Sequence, residues 1–184
     1  MDKLFLQILE KIGEDPDRPG LVKTPQRAAR AFKDLTRGYA QTTAEVLGDA
    51  TFDEDYDDII VVKDIEFYSL CEHHLLPFLG RCHVAYLPKG RIVGISKIVR
   101  LVDMFARRLQ VQERLTWQIA RALDEALKPR GVAVVQDAQH LCMMIRGVQQ
   151  QHSRVVTSAM LGHFRETAAA RAEVMALINT RQPA

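Results

Sequence analysis

Cys71, His73 and His74 stand within four residues of one another, and His140 and Cys142 follow far downstream. Cys71 and His74 are three apart, so a single tight turn lets both bind one ion. Cys142 adds a third soft ligand from a segment that must fold back onto that turn. Two thiolates and an imidazole suit zinc, and three protein ligands leave a fourth position for water, as in catalytic rather than closed structural sites. His73 and His140 lie next to the ligands, where proton transfer would need them. The competing reading is a coincidence of buried cysteines, which pack as small hydrophobes. Against it, the run Cys71–Pro77 carries Glu and His where a core segment would be apolar. Cys82, inside Gly80–Tyr86, reads as packing; as a fourth ligand it would close the site.

Composition bounds the rest. The 184 residues suffice for one domain with a sizeable core, and 47% apolar and 26% charged residues are ordinary for a globular protein. A net charge of +2 argues against nucleic-acid binding by bulk electrostatics, though local basic clusters can still hold a small anion. Three cysteines make no disulfide framework and suggest reduced thiols. Met1–Leu6 shows no apolar leader, and no apolar run approaches the roughly 18 residues of a membrane span. A cytoplasmic protein without membrane contact is expected.

The elements that must position these residues follow from periodicity. Helices are expected over Leu4–Ile12 and from Thr24, as N-cap with Pro25 behind it, to about Tyr39. Asp53–Asp58 reads as a solvated acidic turn. Strands are expected over Ile59–Leu70, Arg81–Leu87, Val132–Ile145 and Val155–Leu161, with a short return segment at Arg91–Ile95. On the third of these strands His140 and Cys142, two apart, would face the same side. A helical pair, Lys97 to about Leu109 and Val111 to about Lys128, splits the strands, and a helix from Glu166 to about Thr180 closes the chain. The order predicts an α+β domain: a four-stranded antiparallel sheet, with the helical pair between its second and third strands. Its two free edges invite ring formation by edge pairing. Residues 1–50 are expected to form an N-terminal helical segment and 51–184 the catalytic domain.

Several runs resemble the GTP cyclohydrolase I family. They are Phe67–Phe78 around the metal turn, Val93–Arg100, Arg108–Thr116 and Thr157–Gly162, in the family's order, within a resemblance that spans roughly Thr24–Phe164. The resemblance implies the tunnelling fold (T-fold) and hydrolysis of GTP to 7,8-dihydroneopterin triphosphate and formate, the entry to folate and other pterins. It implies a homo-oligomer, a decamer of two stacked five-membered rings, with sites between subunits. Carried over, it implies zinc on Cys71, His74 and Cys142, with His73 and His140 handling protons as water adds at carbon 8 of the guanine. It makes Glu113, assisted by Gln112, the reader of the guanine edge. Ser96, Lys97, Arg100, Arg146 and Arg27 would hold the triphosphate, whose charge needs convergent cations. Two alternatives are another T-fold enzyme acting on a purine or pterin, and a non-catalytic zinc-stabilised ring that binds nucleotides. The cation cluster argues against the first, and two histidines beside the ligands argue against the second.

Overall fold

The computed structural model describes residues 1–180. Its elements in chain order are α1 Asp2–Lys11, α2 Thr24–Leu35, a 3₁₀ turn Arg37–Ala40, α3 Thr43–Leu47, β1 Thr51–Asp53, β2 Ile60–Cys71, β3 Pro77–Leu87 and β4 Arg91–Val93. Then come α4 Ile95–Ala106, β5 Leu109–Gln110, α5 Gln112–Leu127, β6 Gly131–His140, α6 Leu141–Met144, β7 Val155–Gly162, α7 His163–Glu166 and α8 Ala168–Asn179. The fold is α+β. The main sheet has the order β5-β2-β3-β6-β7. Its four long strands are antiparallel, as the sequence implied, and β5 adds a two-residue parallel edge beside Leu70 and Cys71. The return segment β4 does not extend this sheet; it pairs with β1, so the first residue of the acidic stretch, Asp53, is in a strand.

Helices α4 and α5 bury one side of the sheet. Ile98, Leu101, Val102 and Phe105 on α4 and Leu115, Ile119 and Leu123 on α5 recur at helical spacing and meet Phe67, Phe78, Val84 and Val134 from the strands. On the other side a smaller cluster forms where Phe164, Val174 and Ile178 of α7 and α8 cover Ala85, Ala133 and Val135. Val46 and Leu47 of α3 belong to the larger core, which therefore continues across residue 50. Helix α1 buries no residue and lies against α2.

Two details set the site. Strands β3 and β6 pair without interruption from Leu87↔Gly131 to Phe78↔His140. Gly80 permits this closeness: a Cβ there would fall 2.0 Å from Asp137 O and 2.6 Å from Ala138 Cα, both backbone atoms of β6. The ladder stops at His140 because β3 begins one residue before Phe78, at Pro77, which has no N–H to extend it. The strand expected to run on to Ile145 accordingly ends at His140. Leu141–Met144, apolar but rich in good helix formers, turns into one helical turn instead. Helix α2 likewise begins one residue earlier than expected, with Lys23 as N-cap and Thr24 already helical.

Candidate metal centre and active site

The turn after β2 is closed by its own backbone. Cys71 N–H donates to Leu76 O (2.9 Å), and Leu75 N–H donates back to Cys71 O (2.8 Å). Leu75 takes the left-handed conformation (φ 55°) that this reversal requires. Glu72 N–H donates to Gln110 O (3.0 Å), which ties the turn to β5. Arg114, from the first turns of α5, pairs with the Glu72 carboxylate and also donates to Gln110 Oε1 (3.2 Å). That guanidinium holds the Glu72 carboxyl below the usual carboxylate range. The other Glu72 oxygen lies 4.0 Å from His73 Nε2.

The ligand atoms of Cys71, His74 and Cys142 all lie within 4.8 Å of one another. Cys71 Sγ is 3.8 Å from His74 Nδ1. Tetrahedral zinc with bonds of about 2.0–2.3 Å needs donors about 3.5–3.8 Å apart, so the three fit the ion with little movement. Cys142 reaches the centre from the helical turn α6, not from a strand face, so the expected strand alternation between His140 and Cys142 does not hold. Burial, and then the neighbouring Cys71 thiol, push the Cys142 thiol up from its ordinary value. A divalent cation held by these residues would reverse that penalty. Cys82 is fully buried, accepts from Gln136 Nε2 at 3.7 Å, and is pushed up to about 12 by burial; it stands outside the metal group.

His140 lies half-buried at the end of β6. Its ring stacks on Phe78 with centroids 4.6 Å apart and planes 3° from parallel, and its Nε2 lies 2.8 Å from Gln112 Oε1. Burial lowers its proton affinity, and the nearby Glu113 carboxylate opposes that. His73 and His74 are exposed on the turn, with His73 Nδ1 3.8 Å from Cys71 Sγ. Arg146 is exposed and donates to Cys142 O (3.1 Å). The structure thus gathers His73, His140, Gln112, Glu113 and Arg146 around the three side chains that could hold a metal ion.

It does not gather the remaining cations. Ser96 and Lys97 occupy the first turn of α4, where Lys97 Nζ lies beside Gly48. The opposite end of that helix feeds β5 and so adjoins Cys71. Twelve residues at about 1.5 Å each separate the two ends by about 18 Å. Arg100 is exposed one turn further along α4, and Arg27 is exposed near the start of α2. Gln112 also departs from expectation: its side chain is turned into the core and is 1% exposed, so its amide faces protein rather than a ligand.

The sequence profile of the GTP cyclohydrolase I family matches residues 1–179. A GTP cyclohydrolase 1 of Methylococcus capsulatus is 58% identical over 181 residues, 98% of each chain. The chain belongs to the GTP cyclohydrolase I family. Family members further afield remain close: the rat GTP cyclohydrolase 1 is 54% identical and the human one 53%, each over 176 residues, covering 73% and 70% of those longer proteins and 96% of this chain. The fold extends beyond the family, since an archaeosine synthase QueF-Like structure in the apo form aligns with TM-score 0.50 at 18% identity, over 59% of this chain and 97% of that one.

Sequence reasoning missed the supports of the GTP cyclohydrolase site. Phe78, Arg114, Thr116, Gln136 and Thr157 support the candidate side chains His140, Glu72 and Gln112 from behind. Two signals were available: Gln136 directly follows the apolar run Val132–Val135, and Thr116 falls on the apolar face of α5.

Proposed function

We propose that Cys71, His74 and Cys142 hold a catalytic zinc ion and that His73 and His140 move protons for the reaction beside it. The chain carries out the GTP cyclohydrolase I reaction, opening the guanine imidazole ring of GTP to release formate and leave 7,8-dihydroneopterin triphosphate. The observation that carries the zinc reading is the convergence of three soft donors within 4.8 Å, with two further histidines at their side. A bound zinc ion supplies a nucleophilic water at neutral pH by lowering that water's pKa. His73, on the exposed turn, is placed to protonate nitrogen 7 of the guanine as carbon 8 is attacked. His140, whose proton affinity is lowered by burial, takes and returns protons as the ring opens and formate leaves. Glu113, in the first turn of α5, accepts from the ring N–H and exocyclic amino group of guanine. Zinc-loaded protein given GTP should release formate and yield fluorescent neopterin after oxidation; zinc-loaded protein that releases no formate would overturn the reading.

Base and phosphate recognition should separate. Glu113→Ala removes charge-assisted hydrogen bonds to the base and should weaken GTP and guanosine alike, by about 10–100-fold. Lys97→Ala, Arg100→Ala or Arg146→Ala should weaken GTP by a similar factor and leave guanosine unaffected. Titrations with both ligands decide, and equal losses in the cation variants would make those cations structural.

The triphosphate reading also requires an assembly, with a decamer as the form proposed. The far end of α4 lies too distant for Lys97 to serve the metal centre of its own chain. Among the described residues β7 pairs only with β6, which leaves an edge for a neighbouring copy. In the assembly proposed, Lys97 of one chain serves the metal turn of a neighbour. At GTP concentrations too low to saturate Lys97→Ala, where both it and the zinc-binding variant Cys142→Ser turn over little or nothing alone, the two should regain part of the activity when dissociated and reassembled together. Exchange without recovery would place the whole site in one chain. A cytoplasmic setting fits the three free thiols; no described helix is long and apolar enough to cross a membrane.

A further inference from the structure

Behind the metal centre runs a buried polar chain whose hydrogen bonds fix the orientation of one amide. Gln112 Nε2 donates to Val155 O (2.9 Å) and lies 3.4 Å from Gln136 O and 3.2 Å from Thr157 Oγ1. Two of these three partners are backbone carbonyls, which only accept. Rotating the amide by half a turn would set its oxygen against both of them in a buried site, so the orientation is decided by the partners rather than by choice. Thr157 is itself fixed, with its hydroxyl 2.7 Å from that of Thr116, which lies 2.9 Å from Gln136 Oε1. Gln112 Oε1 is thereby left facing His140 Nε2 at 2.8 Å. A carbonyl oxygen takes a proton donor and nothing else, so Nε2 of His140 must carry its hydrogen. A neutral imidazole has one N–H, and Nδ1 then holds the lone pair. The parallel face of Phe78 fixes the plane of the ring.

We infer that Gln112 is a positioning residue that holds His140 in its Nε2–H tautomer and so makes Nδ1 the nitrogen that exchanges protons during the reaction. The inference rests on the role proposed above for His140. It reassigns Gln112, which acts through His140 and does not touch the guanine.

The direct test is solid-state ¹⁵N NMR of zinc-loaded protein labelled at its histidine rings. The chain has six histidines, and the signal lost in His140→Ala identifies the one that matters. The proton should be found on the nitrogen bonded to Cδ2; a proton on the nitrogen bonded to Cγ overturns the inference, and the tautomer is read from the unsubstituted protein. Gln112→Met provides the kinetic arm. It should mix the tautomers and lower kcat by about 10–100-fold, the usual cost of losing such a supporting partner, with KM for GTP nearly unchanged. A raised KM with kcat retained would mean that Gln112 binds the base and would overturn the inference. Full turnover in His140→Ala would instead remove the role of His140 itself, so the two failures are told apart.

Discussion

Cys142→Ser is expected to purify with less than about a tenth of the zinc of the parent protein and to release no formate from GTP. A serine hydroxyl is a far poorer ligand than a thiolate, and two remaining donors cannot hold the ion in an open site. Cys82→Ser is the control. Its thiol is buried and pushed up to about 12, beyond reach of the metal group, and its replacement should leave zinc and turnover in place. Elemental analysis of the two variants decides the ligand set: zinc lost from Cys82→Ser and kept by Cys142→Ser would refute it. The same geometry gives a proton signature. Burial and Cys71 raise the Cys142 thiol, so it is protonated in the metal-free chain at neutral pH. A ligating sulfur must be a thiolate, and zinc uptake therefore releases that proton, measurable by titration in weak buffer.

His73→Ala and His140→Ala are expected to keep zinc and assembly yet lose turnover by about 10²–10⁴-fold, the usual worth of a general acid or base. Neither residue is among the three metal donors. His73 sits on the exposed turn, steered by Glu72, which Arg114 anchors. His140 is clamped by Phe78 and Gln112. Rates are compared at equal zinc content, so that a metal defect cannot imitate a catalytic one. A near-parental rate in either variant removes that histidine from the mechanism.

What could be read before the fold was known follows from how local each signal is. The C-x-x-H turn declares itself because the ligands are neighbours in sequence, and the long strands and helices because their periodicity is sustained. Strand β5 is two residues long and exists only because Leu70 and Cys71 lie beside it, so no periodicity announces it. The end of β6 depended on where its partner strand begins, which lies some sixty positions earlier, and the apolar run Leu141–Ile145 alone reads equally as strand or helix. Gln112 illustrates the limit at the site. Its neighbour Glu113 is exposed, and helix periodicity turns the one inward and the other out, a difference that decides which of them a ligand can meet.

The unbroken register of β3 against β6 also bears on how this chain tolerates changes of length. Ten consecutive pairs lead from Leu87↔Gly131 to Phe78↔His140 without a bulge to absorb an added residue. One residue inserted into β6 would invert every side chain beyond it, sending His140 away from Phe78 and shifting Cys142 along α6. The pairing of β2 with β3 is different, since the irregularity between Val62 and Ile65, with Asp64 at φ 58°, already accommodates such a shift upstream of the metal turn. The ladder therefore tolerates changes of length only outside it, as in the polar loop 149–153 and the connection 54–59, and a residue added between Gly131 and His140 should abolish the site.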